Sequence, residues 1–224
     1  MDGESLRQKL DREQQLSVEE AVRITCEVAS ALEYAHKHGV IHRDIKPENI
    51  LLEDGHAITA DFGIARAVSE AGGERLTQTG VTLGTPTYMS PEQAMAQRVL
   101  DGRTDMYSLA CVLYEMLAGQ PPFVGANAQA VIARHTLDTV PSLTVVRGSI
   151  PDEVEDVVMR ALSKVPADRY GTVAEFSAAL NGEGPRLERR TVNRARAKPA
   201  PRRRGAMLAL VAVPLLAAAA GGVW

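Results

Sequence analysis

The chain is 224 residues long, 45% hydrophobic and 24% charged, and 25 Lys and Arg against 28 Asp and Glu leave a formal net charge of −3. These proportions exclude global disorder, and the length accommodates one domain of ordinary size with a tail but not two full domains. With only two cysteines, Cys26 and Cys111, a disulfide scaffold is excluded and a reducing compartment is expected. No basic n-region followed by an apolar h-region opens the chain, so no cleaved leader is expected.

In chain order, Ser17 followed by Glu20 reads as a capping box. It opens a helix whose apolar face is Ala21, Ile24, Val28, Leu32 and Ala35 and which Gly39 ends. Residues 49–52 and 57–60 are short apolar runs joined by Glu53-Asp54-Gly55-His56, the pattern of a β-hairpin whose turn holds Glu53 and Asp54. Residues 105–118 form a strongly apolar helix closed by Gly119; Pro151-Asp152-Glu153 opens another, and Thr172 with Glu175 caps a last one. The fold class expected for residues 1–181 is mainly α with a short β-hairpin. Met106, Met116 and Met159 fall at helical spacings and read as core. His36, His38, His56 and His135 show no metal-ligand spacing and read as surface or helix residues, while both cysteines read as inert.

The near-neutral total conceals a split. From Arg186 onward nine basic residues face one acid, Glu188, which leaves residues 1–185 at a formal −11. Residues 182–205 contain Pro199 and Pro201 and no apolar periodicity, and read as a basic linker. Residues 206–224 carry no charge and as a helix would reach roughly 28 Å, about the thickness of a bilayer core. Arg202, Arg203 and Arg204 stand directly before them. The expectation is therefore one transmembrane helix at residues 206–224 with the preceding region in the cytoplasm, despite Pro214 and the pair Gly221-Gly222. The basic run from Arg186 to Arg204 would then meet anionic lipid headgroups. No aromatic residues are interleaved with these arginines, and nucleic acid is not an expected partner.

The chemistry concentrates in His42-Arg43-Asp44-Ile45-Lys46-Pro47-Glu48-Asn49, between the long helix and the hairpin, and in Asp61-Phe62-Gly63, directly after the second strand. A loop carboxylate such as Asp44 can accept the proton of an attacking hydroxyl. A lysine two residues on can neutralise a phosphoryl group in transfer. Asn49 and Asp61 are oxygen donors of the kind that hold Mg²⁺ on nucleotide phosphates.

These motifs resemble the large, C-terminal lobe of a eukaryotic-like protein kinase of the bacterial receptor type. Gly84-Thr85-Pro86-Thr87-Tyr88-Met89-Ser90-Pro91-Glu92 resembles the end of an activation segment, with Ser-Pro-Glu where Ala-Pro-Glu is usual. The resemblance covers residues 1–181 and implies a transfer of the ATP γ-phosphoryl group to protein Ser or Thr hydroxyls, with ATP and Mg²⁺ as cofactors. It implies Asp44 as catalytic base, Lys46 on the γ-phosphate, Asn49 and Asp61 as Mg²⁺ ligands, and Leu51 as the adenine contact. Lys46 and Thr85 point to Ser/Thr acceptors. Thr77 and Thr79 resemble activation-loop phosphorylation sites, with Arg43 as the basic partner of the added phosphate. His42 and Phe62 are expected in a hydrophobic spine, Asp105 on the backbone of the catalytic loop, and Arg169 paired with Glu92. Self-association for trans-phosphorylation is common in the family.

The family also uses a glycine-rich loop, a strand lysine and a helix glutamate in a small β-rich lobe. Only 43 residues precede Asp44, and they contain no G-x-G-x-x-G and no V-A-I-K-like strand. Lys9 lies in a helical context and is a poor match to the strand lysine. The expectation is a large lobe without its small partner: a fragment or truncated reading of an active kinase, which as it stands lacks the roof of the ATP site. Two other readings compete. One is a non-catalytic kinase-like scaffold or binding module at the membrane. The other is a small-molecule phosphotransferase, against which the activation segment from Asp61 to Glu92 argues.

Overall fold

The computed structural model describes residues 3–62 and 86–183. In this region the N-terminal strand β1 (Glu4–Ser5) leads into helix α1 (Leu6–Glu13), then the long helix α2 (Val18–Lys37). A 3-10 turn at Pro47–Asn49 precedes strands β2 (Ile50–Glu53) and β3 (His56–Thr59). After a second 3-10 turn, Pro86–Tyr88, come helices α3 (Pro91–Ala94), α4 (Arg103–Ala118), α5 (Ala128–Leu137), α6 (Leu143–Val146), α7 (Asp152–Ala161) and α8 (Val173–Leu180).

Helix α4 is the centre of the core. Every residue from Thr104 to Ala118 is buried, which is why the helix shows no exposed polar stripe and its few polar residues, Asp105 and Glu115 among them, are buried with partners. Gly119 closes it at φ 81°, a left-handed conformation that favours glycine at this position. Helix α2 lays Ala21, Ile24, Val28, Leu32 and Ala35 into the same core, the face its periodicity predicts. Met106 and Met116 are fully buried and Met159 packs, partly buried, against the same core. Burying side chains of this size contributes about 1.5–3 kcal/mol each.

The β element is larger than a hairpin. β1 pairs antiparallel with β2, Glu4 opposite Leu52 and Ser5 opposite Leu51, giving a three-stranded sheet in the order β1-β2-β3. Two residues are too few to show a strand period, so β1 leaves no pattern in the sequence. The hairpin itself is shifted from the expected runs: Ile50 faces Thr59 and Glu53 faces His56, so the loop is Asp54-Gly55 alone. Both loop residues have positive φ, 50° and 82°, as a two-residue primed turn requires.

The expected capping box at Ser17 forms only in half. Ser17 Oγ accepts from the Glu20 amide at 3.1 Å, but the Glu20 carboxylate pairs with Lys9 at 3.0 Å. Reciprocal boxes form instead at Ser5 with Gln8, opening α1, and at Ser90 with Gln93, opening α3. Among the described residues no helix is long and apolar enough to cross a membrane. The linker beyond residue 183 and the expected span at residues 206–224 lie outside them.

Candidate active site

The catalytic-loop motif is held from below by one carboxylate. Asp105, in the first turn of α4 and fully buried, accepts the His42 amide at 2.8 Å through Oδ2 and the Arg43 amide at 2.7 Å through Oδ1. The His36 imidazole adds a third contact, Nε2 to Asp105 Oδ2 at 2.7 Å. These bonds hold Arg43 at φ 67°, a left-handed conformation that costs a non-glycine residue of order 1–3 kcal/mol. The turn they force swings the chain so that the next side chain, Asp44, leaves the core and is partly exposed.

Around Asp44 two donors converge. Lys46 Nζ lies 2.8 Å from Asp44 Oδ2, and Asn49 Nδ2 reaches the same oxygen at 3.2 Å and the Asp44 carbonyl at 2.9 Å. The carboxylate is thereby oriented and stays reachable from solvent. With its amide nitrogen committed to Asp44, Asn49 keeps Oδ1 as the end that can face a cation.

The sheet brings the second oxygen donor alongside. The Ala60 amide donates to the Asn49 carbonyl at 2.9 Å, one step beyond the Ile50–Thr59 pair. Asp61 therefore follows at once, exposed and at φ 56°. His42 joins the two segments: Nε2–H donates to the Ala60 carbonyl at 3.0 Å, and Nδ1 accepts the Asp44 amide at 3.3 Å. Its ring packs 4.8 Å from that of Phe62. Leu51, opposite Ile58 on the same sheet, is 40% exposed, as is a comparable part of Ile58. This leaves an apolar face on the sheet beside the loop.

Asn49 and Asp61 supply hard oxygen donors, and Mg²⁺ suits such a pair because it keeps most of its ligands as water and phosphate oxygens. Among the described residues no group of three or more His, Cys, Asp or Glu side chains is arranged for a metal.

The segment after residue 85 docks on the same scaffold. Gln93 Nε2 donates to the Arg43 carbonyl at 2.8 Å, linking α3 to the residue before Asp44. Glu92 is buried and forms a two-pronged pair with Arg169, Oε1 to one guanidinium nitrogen at 2.7 Å and Oε2 to the other at 2.8 Å. Thr104 Oγ1 also donates to Glu92 at 2.9 Å. Burial pushes the Glu92 carboxyl up, but the Arg169 bonds and charge outweigh it and hold the group below its usual range. Arg7 bridges α1 to Glu115 at 2.9 Å, to the Tyr88 hydroxyl at 2.6 Å and to Glu48 at 3.2 Å. Burial and the Glu115 carboxylate raise the Tyr88 hydroxyl far above its ordinary pKa.

Of the residues the motifs single out, Asp44, Lys46 and Asn49 are joined by hydrogen bonds, and Asp61 follows the residue whose amide bonds the Asn49 carbonyl. His42, Arg43, Phe62 and Asp105 brace this loop, and Glu92 with Arg169 holds the segment that Gln93 ties to it. Thr77, Thr79 and Thr85 lie outside the described residues. His135 is in a helix as expected but is wholly buried. Sequence reasoning missed His36 and Gln93 as parts of the site; only the Ser-x-x-Gln spacing at Ser90 could have flagged the second. Cys111 is fully buried, and burial raises its thiol above the ordinary value, which fits an inert core residue.

Comparison with known proteins agrees with this geometry. Residues 1–180 match the protein kinase domain family. The chain is 41% identical to the serine/threonine-protein kinase PknB of Mycolicibacterium smegmatis over 181 residues, covering 80% of this chain and 29% of that protein. It is 41% identical to PknB of Mycobacterium tuberculosis over 191 residues, covering 83% of this chain and 30% of that protein. The crystal structure of the Mycobacterium tuberculosis PknI kinase domain superposes with a TM-score of 0.63 at 32% identity, over 82% of this chain and 64% of that one. The chain therefore spans less than a third of the length of these curated relatives. Protein kinases of this family use ATP and Mg²⁺. On a family match over most of its length and an identity above two-fifths, the chain belongs to the protein kinase family.

Proposed function

We propose that this chain is part of a serine/threonine protein kinase that transfers the γ-phosphoryl group of ATP to Ser or Thr hydroxyls of proteins. One observation carries the reading: Lys46 Nζ and Asn49 Nδ2 both hydrogen-bond Asp44 Oδ2, at 2.8 and 3.2 Å, beside the strand end that presents Asp61. In this arrangement Asp44 orients the acceptor hydroxyl and takes its proton as the hydroxyl oxygen bonds to the γ-phosphorus and the bond from that phosphorus to the departing ADP breaks. Lys46 offsets charge on the transferring phosphoryl oxygens. Asn49 Oδ1 and Asp61 would hold Mg²⁺, which neutralises the nucleotide phosphates when bound. Leu51 would meet the adenine, where its exposed apolar surface would gain by being covered.

The same reading extends to the parts of the chain beyond the described residues. Thr77 and Thr79 are proposed phosphorylation sites. The basic run from Arg186 to Arg204 meets anionic headgroups, and residues 206–224 anchor the chain in the inner membrane with the kinase region in the cytoplasm. Support for the anchor comes from charge and apolar length in the sequence, and support for the phosphorylation sites from relatives named serine/threonine-protein kinases.

The test is phosphate incorporation from labelled Mg-ATP into myelin basic protein by the full chain, beside Asp44→Asn. Incorporation that the substitution lowers by about 10²–10⁴-fold is expected. No incorporation by the unsubstituted chain, either alone or with a kinase small lobe added in trans, would overturn the catalytic reading and leave a kinase-like binding module.

A further inference from the structure

His135 is the buried histidine that the phosphotransfer chemistry does not use. It sits on α5 with no exposed surface. Its Nε2–H donates to the Thr87 carbonyl at 3.0 Å, and its Nδ1 lies 3.0 Å from the Tyr107 hydroxyl. Burial depresses its pKa to about 4, with the nearby Lys164 charge acting in the same direction against the Thr87 bond. A neutral ring whose Nε2 carries the proton must accept at Nδ1, so Tyr107 is the donor. Phe123 and Tyr107 enclose the ring edge-on, with centroids 5.0 and 5.7 Å away.

The bond reaches further than one carbonyl. Tyr107 also carries the Arg169 guanidinium over its ring face at 4.8 Å, and Arg169 grips Glu92. The stretch from Pro86 to Ala94 is thus held near its start through Thr87 and near its end through Glu92 by one connected set of side chains. Directly after Glu92, Gln93 ties the same stretch to the Arg43 carbonyl, one residue from Asp44. A leucine or phenylalanine would fill the space of His135 equally well. What the imidazole adds is a directed donor on a backbone carbonyl, sheltered from water, where such a bond is strongest.

Building on the phosphotransfer reading, we propose that His135 is a positioning residue for the acceptor protein: by holding the Thr87 carbonyl it fixes the Pro86–Ser90 backbone as a ledge at set distance from Asp44. It touches no reacting atom. A ledge that shifts loosens the seat of the acceptor protein and leaves the nucleotide's contacts in place, so the effect falls on the KM for the acceptor and not on that for ATP.

The experiment compares the full chain with His135→Phe, His135→Gln and Tyr107→Phe by hydrogen exchange and by steady-state transfer to myelin basic protein. His135→Phe removes both bonds at similar volume, His135→Gln keeps a donor that can reach Thr87, and Tyr107→Phe removes only the hydroxyl. Faster exchange confined to residues 86–95 and a KM for myelin basic protein raised about 5- to 10-fold, with the KM for ATP within about twofold, is expected for His135→Phe. His135→Gln should restore both, and Tyr107→Phe should fall between. Exchange that rises evenly across the chain, KM values that rise together, or a Gln variant as impaired as Phe would overturn the proposal. An unsubstituted chain that transfers no phosphate even with a kinase small lobe added in trans would instead overturn the phosphotransfer reading and the acceptor role with it. Transfer that is intact while the variants show no split removes the role of His135 alone.

Discussion

Asp105 Oδ1 accepts the backbone amide of Arg43 at 2.7 Å, and that bond holds a non-glycine residue at φ 67° directly before Asp44. The strain is confined to the loop and the compensation sits in the core, on a carboxylate that also takes the His42 amide and the His36 ring. Asp105→Asn offers one acceptor and one donor where two amides each need an acceptor. It is expected to cost about 2–4 kcal/mol in urea denaturation and to lower phosphate transfer although the side chain lies beneath the site and not in it. Wild-type stability in Asp105→Asn would refute this account of the loop.

The Glu92–Arg169 pair is buried, so its two members are worth far more together than either is alone. Arg169→Met leaves an uncompensated carboxylate and is expected to destabilise by about 3–5 kcal/mol. Glu92→Leu combined with Arg169→Met removes both charges and should be clearly more stable than Arg169→Met by itself, read as the urea midpoint. The pH dependence follows from the sign of the shift. Glu92 has a folded pKa below its unfolded value, so its contribution is full above about pH 4.5 and is lost as pH falls through the folded value. Glu92→Gln should flatten this acid limb.

His135 gives a second and separable slope. Its folded pKa of about 4 lies below the ordinary 6.5, so between these values the unfolded chain binds a proton that the folded chain does not. Stability should therefore fall as pH drops from 6.5 towards 4, by roughly 3 kcal/mol in all. His135→Gln removes the titrating group, and its urea midpoint should change less over this window than that of the unsubstituted chain. Identical slopes in the two proteins would mean that the ring is not held neutral in the folded state.

How far the sequence reveals this arrangement depends on how local the forces are. The buried face of α2 is written in a 3.6-residue period, and the turn at Asp54-Gly55 in the residues that tolerate positive φ, so both are readable. Asp44, Lys46, Asn49 and Asp61 can be picked out as candidates because three share one short loop and the fourth follows the hairpin that starts from it. The strand Glu4–Ser5 is not readable, since its partner lies on a distant strand. His36, Gln93 and His135 make their decisive bonds to residues 69, 50 and 48 positions away. No periodicity or cap encodes such partners; they exist only once helices α2, α4 and α5 have packed.

Gly102 tests the packing behind the loop from the other side. It precedes α4 at an ordinary helical φ of −58°, so backbone freedom does not explain a glycine there. Space does: a Cβ at this position would stand 2.4 Å from His36 Nδ1 and 2.7 Å from its Cε1. The ring cannot yield without lengthening its 2.7 Å contact with Asp105. Gly102→Ala would ordinarily stabilise a helix end by reducing unfolded-chain entropy, by about 0.4–1 kcal/mol. Here it is expected to destabilise by about 1–3 kcal/mol, the range of an overpacked core site. The decisive comparison is the His36→Ala background, where the obstructing ring is gone and Gly102→Ala should become neutral or stabilising. Additive effects of the two substitutions would show that the crowding at Gly102 is relieved elsewhere and that His36 does not couple it to Asp105.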